Sequence, residues 1–306
     1  MRSRRGPRPA RWRPGLLTWV AAGCALIGIG LLTYTPAASW LHQYEQSRLI
    51  DAYNRQALAE QEASADRVET PDAALSEAAS YNEKLSFGAI VEANTHVPTG
   101  VGDEVGSEYW DLLNGPAEIM SRIRVPSIDV DLPVYHGTSD VALLRGAGHL
   151  RGTSLPVGGP STHAVITAHR GLAEATMFTN LDRVQVGDRF TLETFGEVLV
   201  YEVRATQVVA PEESQSLRAQ EGRDLVTLVT CTPLGINSHR ILVLGERVLP
   251  TPEQDVAAAL RSSELPRFPW WAVLSTTALL CTVGFVWRAG FRDAGRDHGR
   301  SLDSAG

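Results

Sequence analysis

Residues Asp224 to Pro233 read DLVTLVTCTP, a run of Val, Leu and Thr that ends at one cysteine, Cys231. Aliphatic and β-branched residues in a short run before a proline are typical of a β-strand. Other short runs between about Met120 and Leu249 alternate apolar and polar residues, and turn sequences separate them: SRIRVPSIDVDLPVYHGT, THAVITAHRG, DRFTLETFGEVLVYEVRATQVV and HRILVLGERV. Many short strands joined by turns predict an all-β barrel or sandwich over residues 108–250.

Two apolar segments without charges flank this β region, at 15–40 and 268–287, and each is long enough to span a bilayer. Arginines cluster on the terminal side of both segments: Arg2, Arg4, Arg5, Arg8, Arg11 and Arg13 before the first, and Arg288, Arg292 and Arg296 after the second. The positive-inside rule then places a basic N-terminus (1–14) and a C-terminal tail (288–306) in the cytoplasm, with the chain between the spans outside. The alternative for the first segment is a signal peptide cleaved near TPAAS.

The remaining segments connect the spans to the β region. Residues 41–85 are predicted to be an extracellular helical region, because Leu49 and Tyr53 recur at helical spacing among Ala, Glu and Gln. Residues 86–107 lack periodicity and are rich in Gly, which is typical either of a lid-like loop or of a disordered linker. Residues 251–267 form a linker to the second span.

The charge and the cysteine content narrow the function. The net charge of −7 argues against nucleic-acid binding. Of the three cysteines, Cys24 and Cys281 lie inside the apolar segments, so Cys231 has no disulfide partner in the exported part. A lone exported thiol is either reactive or a small buried apolar side chain, and the composition leaves both interpretations open.

A nucleophilic cysteine needs a base. The histidines outside the apolar segments are His42, His96, His136, His149, His163, His169 and His239. In THAVITAHRG, His169 shares a strand face with His163 and closes the strand just before a turn, where a side chain can reach a cleft. His169 therefore ranks first, while His136 and His149 either reach the site or hydrogen-bond in turns.

Arg240 opens the strand that follows Cys231. The loop between the two strands is short, so the strands are predicted to be antiparallel neighbours with Cys231 and Arg240 close together. A guanidinium there can stabilise a thiolate, a substrate carbonyl or an oxyanion. The alternative is a surface arginine in a weak ion pair.

With these residues, the chain resembles a class C sortase, the pilin-polymerising kind of cysteine transpeptidase found in Gram-positive bacteria. The resemblance rests on YHGTSDVALLRGAGHLRGTSLPVGG, STHAVITAHRGL, MFTNLDRVQVGD and TLVTCTPLGINSHRILVLGER, in which an arginine follows the TLVTC cysteine nine residues later. It implies an eight-stranded β-barrel with N-terminal helices and a transmembrane helix near each end. It also implies that Cys231 is the nucleophile, His169 the acid/base and Arg240 the third catalytic residue, with no metal or organic cofactor.

The implied reaction cleaves an LPxTG-like sorting signal between Thr and Gly at the membrane surface. The acyl group passes through a thioester on Cys231 to a lysine amine of a pilin. In one respect the chain departs from the family: class C lids carry Asp-Pro-aromatic, whereas Pro98 stands between Val97 and Thr99 in THVPTG, which puts autoinhibition by a lid in doubt. Either Phe87 or His96 covers the site instead, or the lid is weak.

Three other functions are carried as alternatives. A housekeeping sortase would use the same three residues to attach surface proteins to a peptidoglycan amine. A papain-type cysteine peptidase would use water, but that type places its cysteine before its histidine, and here His169 precedes Cys231. A membrane-anchored binding module would hold Cys231 as a structural residue.

Overall fold

A computed structural model of the protein describes residues 12–65, 73–86, 108–211, 213, 215–259 and 261–303. Except for Ser86, the expected lid-like segment 86–107 lies outside the described residues, as does His96. The helices are α1 (Leu16–Ala65), α2 (Ala73–Ser86), α3 (Glu108–Asp111), α4 (Asp140–Arg145), α5 (Glu253–Ala259) and α6 (Trp270–Asp303). The strands are β1 (Ile119–Val125), β2 (Val130–His136), β3 (Ala147–His149), β4 (Thr162–Thr167), β5 (Arg189–Thr194), β6 (Glu197–Val209), β7 (Asp224–Thr232) and β8 (His239–Arg247).

The eight strands close into a barrel in the order β1-β2-β3-β4-β7-β8-β6-β5, which confirms the predicted eight-stranded fold. The pairs β2–β3 and β4–β7 are parallel, and the other six pairs are antiparallel. Alternate side chains fill the interior, including Ile166 of β4, Leu228 of β7 and Val243 of β8, which are fully buried. Closure leaves no unpaired strand edge in the barrel.

The sequence pattern indicates the β5–β6 hairpin but not the short strand β3. The β5–β6 hairpin is confirmed, with its turn at Phe195 and Gly196. The short strand β3 was not predicted, because AGH carries no alternation and has two small residues out of three. Its pairing with β2 and β4 nevertheless completes the barrel wall.

The chain divides into two units, residues 41–267 and the terminal segments 1–40 with 268–306. Two helical stretches, Leu16–Gln56 and Trp270–Arg292, are long and apolar enough to cross a membrane. They are compatible with the spans predicted at 15–40 and 268–287. Within the terminal unit, the indole of Trp12 donates to the carbonyl of Trp287 at 3.1 Å.

A buried arginine ties the helical and linker segments to the barrel wall. Arg122 of β1 is fully buried and pairs with Asp131 of β2 at 2.8 Å and with Glu193 of β5 at 3.4 Å. Its Nη1 also donates to the carbonyl oxygen of Ala259 at the end of α5, at 2.9 Å. On the other side, the amide of Asn54 in α1 accepts from Arg122 at 2.7 Å when its oxygen faces the guanidinium.

Candidate active site

The three predicted site residues lie on the outer face of neighbouring strands. Each is preceded or followed by a buried residue whose side chain belongs to the barrel interior: Ala168, Thr230 and Ile241. Because successive side chains in extended chain point to opposite faces, His169, Cys231 and Arg240 point outward. The shared face of His163 and His169 agrees with the prediction.

The strand register relates the three residues to one another. Thr167 of β4 pairs with Val229 of β7 in parallel. The Ala168 N–H then donates to the Val229 carbonyl at 3.2 Å. His169 follows this pair by two residues in its segment, and Cys231 follows it by two residues in β7. On the other side, Cys231 pairs directly with Arg240 of β8, as predicted from the short loop between them.

The strand ends differ slightly from the prediction. Strand β4 ends at Thr167, so His169 lies just beyond it, in the segment that leads away from the barrel. The Phe178 N–H donates to the His169 carbonyl at 3.0 Å, which closes this segment on itself. Strand β7 continues one residue past Cys231, to Thr232. The backbone of Cys231 therefore pairs with β8, whereas the backbone of His169 is held by a hydrogen bond from Phe178.

The side chains of the site are partly accessible. His169, Cys231 and Arg240 are all half-buried. The Arg240 Nη1 donates to the carbonyl oxygens of Asn237 at 2.8 Å and His239 at 3.0 Å. Within the described ranges, no hydrogen bond joins the thiol, the imidazole and the guanidinium to one another. The structure thus pairs Cys231 with Arg240 and places His169 just beyond the end of the neighbouring strand β4.

Two other candidate histidines have structural partners instead. His163 is buried, and its Nδ1 donates to the Arg218 carbonyl at 3.0 Å while its Nε2 lies 2.7 Å from the Thr227 hydroxyl. Burial lowers the pKa of His163, so the neutral ring with one donor and one acceptor fits these contacts. His136 is half-buried, and its Nε2 donates to the Leu112 carbonyl at 2.7 Å.

His149 is the most deeply buried of the histidines. Its Nε2 donates to the Ser154 carbonyl at 2.9 Å, and its Nδ1 accepts from the Tyr109 hydroxyl at 3.0 Å. Burial lowers the pKa of His149 to about 4. His149 is therefore a neutral structural residue beneath Tyr109, which lies in α3. Within the described residues, no group of three or more His, Cys, Asp or Glu is placed to hold a metal ion.

Sequence reasoning missed Arg170, which follows His169. Its side chain is only 9% exposed and pairs with Asp182 at 2.8 Å. It also donates to the Thr179 carbonyl at 3.1 Å and to the hydroxyl of Thr232, next to Cys231, at 2.8 Å. The only signal in the sequence was its place in TAHRG beside the candidate base.

The chain was compared with protein-family models, curated proteins and solved structures, and it matches one family. The family model described as "Sortase domain" matches residues 123–248. The solved structure of sortase C-1 from Actinomyces oris is 48% identical, with a TM-score of 0.51, and the match covers 57% of this chain and 96% of that chain. Sortase C from Streptococcus pneumoniae is 35% identical, with a TM-score of 0.55, covering 67% of this chain and 98% of that one.

Curated relatives match over a shorter stretch. Sortase A of Bacillus anthracis is 27% identical over 131 residues, which is 43% of this chain and 60% of that protein. The chain thus spans about three fifths of the length of this relative. Residues 123–248, which the family model matches, include His169, Cys231 and Arg240.

Proposed function

The chain belongs to the sortase family, and from this membership we propose that it is a membrane-anchored cysteine transpeptidase acting on an LPxTG-like sorting signal. The observation that carries the proposal is the direct pairing of Cys231 in β7 with Arg240 in β8, beside the end of β4, which His169 follows by two residues. A thiol, an imidazole and a guanidinium so placed are sufficient for acyl transfer without a cofactor.

In the proposed first half-reaction, the Cys231 thiolate attacks the Thr carbonyl of the sorting signal. Arg240 steadies the developing oxyanion. For this, its guanidinium has to turn away from the loop carbonyls it now contacts. His169 donates a proton to the Gly amine as the peptide bond breaks, leaving a thioester on Cys231.

In the proposed second half-reaction, an amine attacks the thioester and His169 takes its proton. The thioester keeps the free energy of the cleaved peptide bond, so no nucleotide is needed. With a pilin lysine as the amine, the product is an isopeptide bond between subunits. This acceptor is supported by the class C relatives, since the S. pneumoniae structure is described in terms of pilin substrate specificity.

The second candidate is a housekeeping sortase that uses a peptidoglycan amine. It is favoured by the match to proteins named sortase A, from B. anthracis and from Streptococcus agalactiae. Against it stands the apolar helix Trp270–Arg292, which adds a second candidate anchor after the barrel. We also propose that residues 1–14 and 288–306 are cytoplasmic and that 41–267 is extracellular.

The test is an intact-mass measurement on the full chain in detergent micelles with an LPxTG peptide. We expect a peptide-acyl adduct that disappears in Cys231→Ala. The matched controls are Cys24→Ala and Cys281→Ala, which remove the other two thiols and should keep the adduct.

Acceptors are then supplied in parallel. Discharge of the adduct onto a lysine-bearing pilin fragment supports the polymerase, and discharge only onto a peptidoglycan-like amine supports the housekeeping enzyme. Release of the free peptide acid with every amine indicates a peptidase. Absence of an adduct, both in the intact chain and after deletion of 86–107, contradicts the transpeptidase for this substrate class.

A further inference from the structure

The residues next to the proposed base and nucleophile are bonded to each other. Arg170 follows His169, Thr232 follows Cys231, and the Arg170 Nη1 donates to the Thr232 hydroxyl at 2.8 Å. Within the described residues, the last main-chain hydrogen bond between β4 and β7 runs from Ala168 to Val229. The Arg170–Thr232 hydrogen bond therefore links the two chain segments beyond the last main-chain hydrogen bond between β4 and β7.

The far side of the Arg170 guanidinium is fixed by the segment that follows His169. Its Nε donates to the Thr179 carbonyl at 3.1 Å, and its Nη2 pairs with Asp182 at 2.8 Å. The Thr179 hydroxyl also accepts from the Gly171 N–H at 3.1 Å. A guanidinium presents its five donors in a rigid planar fork, so three partners in different directions fix its position and orientation.

We propose that Arg170 is a positioning residue that sets the distance between the His169 imidazole and the Cys231 thiol. It is 9% exposed and its donors are used by Thr179, Asp182 and Thr232, so its role is to hold the turn at His169 against the end of β7. It does not itself react with substrate. This inference rests on the proposed transpeptidase, in which His169 transfers protons in both half-reactions.

The effect of losing Arg170 on the rate depends on the short distance over which a proton can be transferred. A general acid or base must lie within about 3 Å of its partner, and a misplacement of about 1 Å costs about 100-fold in rate. Loss of Arg170 should therefore lower kcat for acylation and for transfer, because both use His169. KM for the sorting peptide should change little, since the binding surface is left in place.

The test compares Arg170→Gln with Arg247→Gln in the full chain. Arg247 is the matched control: its side chain is 10% exposed, pairs with Asp224 at 3.9 Å and donates to Thr251 at 3.2 Å, but it lies at the end of the β7–β8 pair away from Cys231. We expect about a 10- to 100-fold lower kcat for Arg170→Gln, with KM within about twofold. Arg247→Gln should keep the wild-type kcat, although its Tm should fall by about as much as that of Arg170→Gln.

A second readout needs no substrate. In a background lacking Cys24 and Cys281, the rate at which iodoacetamide alkylates Cys231 is followed against pH. We expect the profile of Arg170→Gln to move toward that of His169→Ala, and the profile of Arg247→Gln to stay at wild type. Arg170→Lys should be intermediate, because lysine keeps a charge toward Asp182 but cannot donate along the three directions of the fork.

The proposal is overturned if Arg170→Gln keeps the wild-type alkylation profile, or if both glutamine variants lose kcat in proportion to their loss of Tm. Should Arg170→Gln not fold, Thr232→Val removes only the hydroxyl that accepts from Arg170, and an unchanged kcat and profile there overturn it equally. If wild type forms no acyl adduct, the transpeptidase fails, while the alkylation profiles still decide the role of Arg170.

Discussion

At the scale of single residues, the structure gives several of the candidate histidines structural partners, and it leaves His169 as the proposed base. The sequence offers seven histidines outside the apolar segments and the C-terminal tail and ranks His169 first from its place near a strand end, and the structure places His169 just beyond β4, which pairs with the strand of Cys231. The sequence did not reveal that His149 is buried against Tyr109, because Tyr109 lies 40 residues away in the chain. Partners distant in sequence decide burial, and local pattern cannot show them.

The buried His149 makes stability depend on pH. Its pKa falls from 6.5 to about 4 on folding, so the unfolded chain binds more protons between these values. The stabilisation is fully present above pH 6.5 and is lost as pH falls toward 4, by about 3 kcal/mol in total. Urea unfolding of the full chain from pH 7.5 to 4 should show this decline, and His149→Gln should flatten it.

His239 provides the control for this titration. It is exposed, so His239→Gln should leave the pH dependence of the unfolding free energy as in wild type. An equal flattening in both variants would contradict the assignment to His149. His136 and His163 also have pKa values lowered by burial, so a smaller slope remains in His149→Gln.

At the scale of elements, the candidate site lies where β7 pairs antiparallel with β8 and parallel with β4. The pairing of β7 with β8 was predictable, since a short loop joins antiparallel neighbours. The parallel pairing of β4 with β7 was not, because β5 and β6 lie between them in sequence and no local pattern specifies which distant strands meet. The same holds for β3, whose three residues carry too little pattern.

The turn after β4 touches the loop after β7. A Cβ on Gly171 would lie 2.5 Å from Cδ2 of Leu234, which belongs to the loop that follows Cys231. Gly171→Ala should therefore displace the exposed side chain of Leu234 as well as strain a backbone with φ of +76°. We expect a loss of about 1–2 kcal/mol in unfolding free energy together with a changed rate of Cys231 alkylation.

Gly222 is the matched position for this change. Its φ is +73°, but a Cβ there meets nothing within 4 Å. Gly222→Ala should cost a similar free energy and leave the alkylation rate unchanged. If the two variants alter the thiol equally, contact between the two loops does not influence the site.

At the scale of the whole molecule, Arg122 joins four parts of the domain. It contacts Asp131, Glu193, Asn54 and the end of α5, so the barrel wall, the helix α1 and the C-terminal linker share one buried charge. The sequence predicted a barrel, helices and a linker in the right order. The sequence did not show that Arg122 links the barrel, α1 and the linker, because an arginine in a predicted strand is expected to be exposed.

Removing this charge should be costly. Arg122→Met leaves Glu193 without an ion-pair partner among the described residues and leaves Asp131 with only Arg124, at 3.8 Å, and such a loss costs about 3–5 kcal/mol. Thermal unfolding should show a large fall in Tm. Arg204→Met is the control, since Arg204 is exposed and pairs with Glu202 and Glu246 at the surface, where ion pairs contribute about 0–1 kcal/mol. Similar falls in Tm for both variants would refute the central role of Arg122.

The parallel pairing of β4 with β7 also determines when the protein becomes competent. The Arg170–Thr232 contact joins residues 62 positions apart, and β5 and β6 are made in the interval. A chain that emerges with its N-terminus first displays its imidazole long before its thiol, and pairings of high contact order form late in folding. We expect nucleophile and base to meet only when β7 inserts between β4 and β8. The proposed nucleophile and base are therefore brought together only when the barrel is complete.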